Sequence, residues 1–258
     1  MTAKATDGSQ SLRRGVRLIE FLSDYPNGCP LARIAEQTGL NKSTVHRLLK
    51  NLNDMGYVTP TSTPGSYRLT SKFIAIGYKT FSALNIIKVA APWLEKINIE
   101  MGDTINLSFR EGDHCVLAYK LEPTTGMLRT RSYIGQKMEL YCSGMGKVLL
   151  AFSPDCYLEK YWETKKGSIH RFTPTTIVDI AAMRREVADI RRERVAYDRE
   201  ENETGIGCVA APVFGPRRQV DYALSVSLPM FRMNDRRRVE LVEFVRETAA
   251  AISAEIGG

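Results

Sequence analysis

The chain has 258 residues, a mass of 29.0 kDa and a formal net charge of +7, and its length allows one large domain or two smaller ones. Hydrophobic residues make up 43% and charged residues 25% of the sequence, a globular composition that argues against wholesale disorder. No run of about 18 apolar residues occurs, so the sequence predicts neither a membrane-spanning helix nor a membrane partner.

The number of cysteines and the N-terminal segment indicate in which cellular compartment the protein is expected. The five cysteines are an odd number and form no CxxC pair, which argues against a disulfide scaffold and against a zinc ribbon. The first fourteen residues lack the apolar core of a signal peptide. We therefore expect a cytoplasmic protein.

The positive charge is concentrated in the first third of the chain. Residues 1–84 carry eleven Lys and Arg against five acidic residues, a balance of +6, whereas the remainder balances at +1. A basic module joined to a near-neutral one is typical of a protein that binds a polyanion and has a second task. A merely solvated basic face explains the charge equally well, so the choice depends on the sequence patterns.

The first third predicts a helix–turn–helix followed by a hairpin. Residues 1–10 are polar and expected to be disordered. The predicted elements are a helix from Leu12, helices over 31–38 and 42–55, and strands over 57–59 and 67–69. Gly39 separates the second helix from the third, Asn41 can cap the third, and Pro64-Gly65 marks the hairpin turn.

The third helix is amphipathic in the manner of a DNA-recognition helix. Its apolar stripe comprises Val45, Leu48, Leu49, Leu52 and Met55. Its opposite face comprises Lys42, Ser43, His46, Arg47 and Lys50. The stripe can dock the helix on its own domain while the other face offers donors to phosphates and base edges. Arg47 is the best candidate for a guanine contact, because its fork matches O6 and N7.

The rest of the chain mixes helices and strands without a regular βαβ alternation, so we expect an α+β domain with an antiparallel sheet. Helices are predicted over 71–101 (a connector through about Leu84, then 86–101), 145–152, 155–162, 176–194 and 234–256. Strands are predicted over 104–109, 115–121, 128–133, 209–214 and 222–228.

Residues 39–49, GLNKSTVHRLL, resemble the recognition core of the IclR family of bacterial transcription factors. Tyr67-Arg68-Leu69 is similar to the wing strand of that family, and residues 143–147 to the first turn of its effector-domain helix. Residues 198–201 and 207–214 resemble its C-terminal signature. Two turn positions depart from the pattern, since Arg194 stands where a small residue is usual and Gly215 where Asp or Asn is usual.

The resemblance covers about residues 12–255 and implies a domain order. A winged helix–turn–helix occupies 1–70, a linker helix 71–84, and a GAF-like antiparallel-sheet effector domain 85–258. It also implies a homodimer or tetramer on a pseudo-palindromic operator. No cofactor is implied, and the three histidines are isolated, so no metal site is expected. The residues expected to contact DNA are Asn41, Lys42, Ser43, Thr44, His46, Arg47, Lys50 and Arg68.

The effector domain is expected to bind a small organic acid. In residues 224–228, LSVSL, alternation places both serines on one face of a strand, where their hydroxyls can bind a carboxylate or a sugar hydroxyl. Backbone N–H groups at 144–146 can add an anion site, and Arg129 and Arg131 are further carboxylate candidates. The serines could instead face solvent on a half-exposed sheet. By resemblance, the effector site comprises Met138, Gly144, Met145, Asp198, Cys208, Ser225 and Ser227.

Segments 25–31 and 119–131 are most similar to family members that repress operons for sugar acids of the diketogulonate or ascorbate type. The resemblance thus implies a repressor of a sugar-acid catabolic operon that its effector relieves.

An alternative is an enzyme that acts on small sugar acids through Cys142 or Asp198. The sequence shows no nucleophile–base pair for such chemistry, and Cys142 is better interpreted as a buried thiol. Residues 205–210 spell a GxGxxA dinucleotide fingerprint, but a proline-containing strand follows them instead of a helix, so we reject it.

Overall fold

The computed structural model describes residues 7–82, 85–125 and 130–258. The chain divides into two compact units, Met1–Ala83 and Leu84–Gly258. No described helix is long and apolar enough to cross a membrane.

Within residues 7–82, the first unit contains four helices and a small sheet. Its helices are α1 (Asp7–Ser23), α2 (Leu31–Thr38), α3 (Lys42–Asp54) and α4 (Lys72–Ser82). Its strands are β1 (Cys29–Pro30), β2 (Val58–Pro60) and β3 (Ser66–Leu69), which pair antiparallel in the order β1-β3-β2. The predicted helix–turn–helix and hairpin are therefore confirmed.

Two expectations for this unit need correction. Helix α1 begins at Asp7, within the segment 1–10 that was expected to be disordered, and residues 1–6 lie outside the described part of the chain. Strand β1 was not predicted, because two residues are too few for an alternating pattern to show. It forms because Cys29 and Pro30 lie opposite Tyr67 and Ser66 of β3.

The turn between α2 and α3 depends on a glycine and a capping asparagine. Gly39 has a φ of 67°, in the left-handed region that side chains with a Cβ rarely adopt. The chain turns there, and the N–H of Leu40 donates to the carbonyl of Ala35 at 3.1 Å. Asn41 then begins α3, since its Oδ1 accepts from the N–H of Thr44 at 2.9 Å.

The core of this unit fixes the orientation of α3. Val45, Leu48, Leu49 and Leu52 are buried against α1, α2 and β2. Met55 was expected to complete this stripe, but it is 54% exposed, because the helix ends at Asp54 and Met55 forms its C-terminal cap.

The second unit is built on one antiparallel sheet. Its helices are α5 (Asn85–Met101), α6 (Gly144–Ala151), α7 (Tyr157–Thr164), α8 (Ile180–Glu193) and α9 (Asp235–Glu255), with a 3₁₀ turn at Met230–Arg232. Its strands are β4 (Thr104–Glu111), β5 (His114–Leu121), β6 (Lys137–Glu139), β7 (Ala196–Arg199), β8 (Ile206–Phe214) and β9 (Val220–Pro229), in the sheet order β6-β5-β4-β9-β8-β7. The expected α+β class is confirmed.

Helices cover both faces of this sheet. On β8, Cys208 and Ala210 lie towards α6, while the next residue, Ala211, lines a groove together with α9. Strands β8 and β9 are therefore buried along nearly their whole length. Pro212, which has no N–H to donate, lies in β8 beyond the end of its pairing with β7, which extends only as far as Ala210.

The sequence misplaced some of the strands. Residues 126–129, part of the predicted strand 128–133, lie outside the described part of the chain, and residues 130–133 do not form a strand. Strands β6 and β7 were missed, because three or four residues give too little alternation. Arg194, which departs from the family pattern, has a φ of 55° and ends α8 in the left-handed conformation, so the expectation of a turn there is confirmed.

Candidate DNA interface and ligand pocket

The outer face of α3 carries exposed side chains that have no partner in the described part of the protein. Lys42, Arg47 and Lys50 are exposed, and no described acidic side chain pairs with them. His46 is exposed on the same face. Because no acidic side chain neutralises these cations, they are available to bind an external polyanion such as DNA.

The first turn of α3 uses some of the predicted contact residues for its own fold. Asn41 Oδ1 accepts from the hydroxyl of Ser43 at 3.0 Å as well as from the N–H of Thr44. Thr44 is half-buried, whereas Asn41 and Ser43 are exposed. The side-chain oxygen of Asn41 is therefore occupied by capping, and only its amide N–H₂ remains to donate.

The C-terminal end of α3 is held by a residue that sequence reasoning missed. Lys72 Nζ donates to the carbonyl oxygen of Met55 at 2.7 Å and lies 4.1 Å above the ring centre of Tyr57. A cation at a helix C-terminus is attracted to the negative end of the helix dipole and stabilises the helix. The sequence offered no signal, because Lys72 is distant from α3 along the chain.

The hairpin of β2 and β3 presents the remaining predicted contact. Arg68 lies on β3 opposite Thr59 and is exposed. The tip, residues 61–65, is held by a hydrogen bond from the N–H of Thr61 to the carbonyl of Ser66 at 2.9 Å. All eight predicted DNA-contact residues thus lie on α3, its cap or the hairpin.

The second unit contains a small polar cavity of about 90 Å³ between the sheet and α6. Six of the seven residues predicted for the effector site line it: Met138, Met145, Asp198, Cys208, Ser225 and Ser227. The sheet order explains why they meet, since Cys208 lies opposite Ser227 and Asp198 opposite Cys208.

Asn106 organises the serine side of the cavity, and the sequence reading missed it. Its Nδ2 donates to Ser225 Oγ at 3.3 Å and to Ser227 Oγ at 3.1 Å, so both hydroxyl protons are free to donate elsewhere. Its Oδ1 is buried without a partner among the residues that the structure describes. Both serines are buried, which rules out the alternative that they face solvent. A buried acceptor beside two hydroxyl donors is suited to a polyhydroxy ligand.

The seventh predicted residue, Gly144, lies directly behind the lining. A Cβ added there would lie 2.6 Å from Cys208 Sγ, so this position allows α6 to approach the sheet closely. The expected anion site at residues 144–146 is only partly available, because Ser143 Oγ accepts from the N–H of Gly146 at 3.1 Å.

Asp198 is the buried acidic group among the described residues that line the cavity, and Glu203 is a second, half-buried one. Its Oδ1 accepts from the N–H of Glu201 at 2.6 Å. Burial raises the pKa of this carboxyl to about 7, and the neighbouring carboxylate of Glu201 contributes to the rise. Asp198 can therefore carry a proton near neutral pH and donate to a ligand oxygen.

A buried ion pair connects α6 to the loop after β7. Lys147 is fully buried and donates to Glu201 at 2.6 Å and to Glu186 at 2.8 Å. Arg199 also pairs with Glu186, at 3.2 Å. Both Lys147 and Glu201 neighbour lining residues along the chain, so this pair holds two walls of the cavity together.

Three further residues were candidates from the sequence: Arg129, Arg131 and Cys142. Arg131 lines the cavity, although it is 92% exposed, lies outside any strand and pairs through its Nε with Glu203 at 3.6 Å. Arg129 lies outside the described residues. Cys142 is buried, and its thiol contacts the carbonyl of Glu139 and the amide oxygen of Asn202 instead of a histidine. Burial raises the pKa of this thiol far above its usual value, so it is an unreactive core cysteine.

Family models match both units. Residues 11–62 match the IclR helix-turn-helix domain, and residues 78–254 match the bacterial transcriptional regulator IclR C-terminal domain. The chain is 57% identical over 250 residues to the DNA-binding transcriptional repressor YiaJ of Escherichia coli (strain K12), covering 97% of this chain and 89% of that protein.

Solved structures agree with this result. The crystal structure of the Thermotoga maritima IclR superposes with a TM-score of 0.84 at 27% identity, over 97% of this chain and 100% of that one. The crystal structure of the transcriptional regulator YaiJ, 52% identical, covers 67% of this chain and 96% of that one with a TM-score of 0.64. The chain therefore belongs to the IclR family of bacterial transcriptional regulators.

Proposed function

We propose that this protein is a repressor that binds operator DNA through α3 and the hairpin, and releases it when a sugar acid of the diketogulonate type occupies the cavity. A sugar acid is supported chiefly by the buried set of Asn106, Ser225 and Ser227. Among the described residues, this set has two free hydroxyl donors and one unpartnered acceptor. The similarity to a protein named as a repressor supports the sign of regulation.

In this proposal the exposed cations contact different parts of the DNA, either a base or the phosphates. Arg47 reads a guanine, since it projects from the outer face of α3 without a partner in the described chain. Lys50 and Arg68 neutralise phosphates and position the helix. In this proposal residues 1–70 recognise DNA, 71–84 transmit the signal and 85–258 bind the effector.

Operator recognition requires a second copy of the chain, because a pseudo-palindrome presents two half-sites about one helical turn apart. We place association between copies, as a homodimer or tetramer, on the large apolar side chains that the first unit exposes. These side chains are Leu12, Val16, Ile74 and Tyr78.

The test is selection of genomic DNA fragments by the full-length protein at physiological salt, with and without 2,3-diketo-L-gulonate. We expect a few palindromic sites beside sugar-acid catabolic genes, enriched by about 10³–10⁷ over bulk DNA. The acid should lower operator affinity, and operator DNA should weaken acid binding by the same factor.

Two results would contradict the proposal. Weak recovery of all fragments that falls steeply with salt would mean that only phosphates are contacted. An operator affinity that saturating acid leaves unchanged would remove the sugar-acid effector while leaving the DNA-binding function intact. A Ser225→Ala variant provides the control, since it should keep operator binding and lose the response to the acid.

A further inference from the structure

A groove of about 580 Å³ lies between β8 and α9, on the face of the sheet opposite the polar cavity. This volume falls within the roughly 300–1,000 Å³ of most small-molecule sites. The buried residues Ala211, Pro212 and Ala249 form an apolar floor. The floor is held in place by Ser253 of α9, whose hydroxyl accepts from the N–H of Phe214 at 2.8 Å and donates to the carbonyl of Ala249 at 2.6 Å.

The rim of the groove carries three exposed arginines from three different elements: Arg194 at the end of α8, Arg218 in the turn between β8 and β9, and Arg246 on α9. Arg194 lies 5.5 Å from the ring centre of Phe214. Arg246 donates through Nη2 to the backbone carbonyl of Glu193, which is a neutral acceptor. None of these three rim arginines forms an ion pair with an acidic side chain in the described part of the chain.

The groove has little negative charge of its own to offset the rim arginines. Glu193 is the acidic side chain among the described lining residues, and its Oε1 already accepts from Arg192 Nη2 at 3.0 Å. Gly258 lines the groove as well, and none of the rim arginines is ion-paired with it. Three guanidinium groups therefore converge without an anionic partner, and each is a planar fork that matches a phosphate or a carboxylate.

Two of the rim arginines have an unusual backbone conformation. Arg194 has a φ of 55° and Arg218 a φ of 57°, and they are two of the three non-glycine residues with positive φ in the described chain. Hydrogen bonds hold both turns, from the N–H of Arg194 to Ile190 at 2.7 Å and from the N–H of Arg218 to Gly215 at 2.9 Å. Strained positions of this kind concentrate at ligand sites. Here they fix where two of the three arginines leave the backbone.

We propose that this groove binds a small organic anion with two or more negative charges, either an organophosphate or a dicarboxylate. The rim arginines bind its anionic groups, and the apolar floor packs against its carbon skeleton. A dianion is favoured because three separate guanidinium groups can bind more than one anionic group at once. The site does not depend on the proposed effector, since it lies on the other face of the sheet.

Calorimetry with the full-length protein at constant ionic strength tests this proposal. The probes are glucose 6-phosphate, succinate and uncharged glucose. At least one of the two dianions should bind about tenfold or more tighter than glucose, the size of one charge-assisted hydrogen bond. The comparison between the two shows whether the groove takes a phosphate or a dicarboxylate. Arg218→Gln should weaken binding of that dianion by about tenfold.

Arg217→Gln is the matched control. It removes the same charge from the neighbouring exposed position, which does not line the groove, so it should leave the affinity for the dianion unchanged. Ser225→Ala, which alters the polar cavity on the other face, should also leave it unchanged. The Arg218 side chain makes no hydrogen bond or ion pair within the described chain, so Arg218→Gln should unfold at the wild-type denaturant midpoint.

Three results would overturn the inference, and each leaves the proposed function intact. If neither dianion binds more tightly than glucose, the groove is only a solvated basic surface. If Arg217→Gln weakens binding as much as Arg218→Gln, the affinity comes from the overall charge of the protein. If Ser225→Ala abolishes binding of the dianion, the probe occupies the polar cavity instead of the groove.

Discussion

Lys147 Nζ and Glu201 Oε1 form a 2.6 Å ion pair that is closed off from solvent. The second oxygen of Glu201 has no partner among the described residues, so this carboxylate depends on Lys147 for its compensation. Burying charge is costly unless it is paired, and breaking such a pair leaves a lone buried charge. The pair joins α6 to the loop after β7, the two segments on either side of the polar cavity between the sheet and α6.

Removal of the cation should be strongly destabilising. We expect Lys147→Ala to lower the free energy of unfolding by about 3–5 kcal/mol, because the buried Glu201 then remains without its cation, while Glu186 keeps Arg199. Denaturant unfolding measures this. Lys166→Ala is the matched control, since it breaks an exposed pair with Glu163 and should change stability by less than about 1 kcal/mol. Equal unfolding midpoints for the two variants would show that the buried pair contributes no more to stability than the exposed one.

The two cations of α3 should differ in their effect on DNA binding. Arg47→Ala should cost about 1–3 kcal/mol and relax specificity at one base pair, because it removes a base contact. Lys50→Ala should weaken binding uniformly and reduce the salt slope by about one, because it removes a phosphate contact. Titrations on operator variants at several salt concentrations distinguish these effects. The recognition-helix assignment fails if both variants bind like wild type.

Gly144 should not tolerate a methyl group, although it lies in a helix. The added Cβ would meet Cys208 Sγ at 2.6 Å and Ala210 Cβ at 3.2 Å, so Gly144→Ala should destabilise by about 1–3 kcal/mol. Cys208→Ala in the same chain should recover part of the loss. Gly15→Ala is the control, because nothing lies within 4 Å and alanine favours helices by up to about 1 kcal/mol. If Gly144→Ala is as stable as Gly15→Ala, the close approach of α6 to the sheet does not require a glycine at position 144.

Asp198 should make stability fall as the pH rises. Its ordinary pKa is 3.8 and burial raises its folded-state pKa to about 7, so between these values the unfolded chain ionises while the folded protein keeps its proton. The favourable contribution is complete below the lower pKa and is lost as the pH passes through about 7. Asp198→Asn should remove this dependence.

Unfolding measured at pH 5 and pH 8 checks this sign. The wild-type protein should lose stability relative to Asp198→Asn at the higher pH, by on the order of 1 kcal/mol or more. A difference between the two proteins that is the same at both pH values would show that Asp198 ionises normally in the fold.

Local patterns predicted elements that are long or sharply bounded. Helix α2 has its predicted bounds, and α3 differs only at its last residue, because Gly39 and Asn41 act within a few residues of the helix ends that they define. Alternation in residues 224–228 correctly placed Ser225 and Ser227 on one face. Short strands such as β1, β6 and β7 were not predicted, because their pairing with neighbouring strands, and not a pattern in their own sequences, makes them strands.

The sequence by itself determined the amphipathic face of α3, the glycine turn before it and six of the residues that line the polar cavity between the sheet and α6. These depend on periodicity, on backbone conformation and on motifs, which act along the chain. Only the tertiary structure decided that Asn106 would join the two serines and that Lys147 would lie buried against Glu201. Each of these contacts joins residues far apart in sequence, and strand register and burial, which set them, arise only when the sheet is assembled.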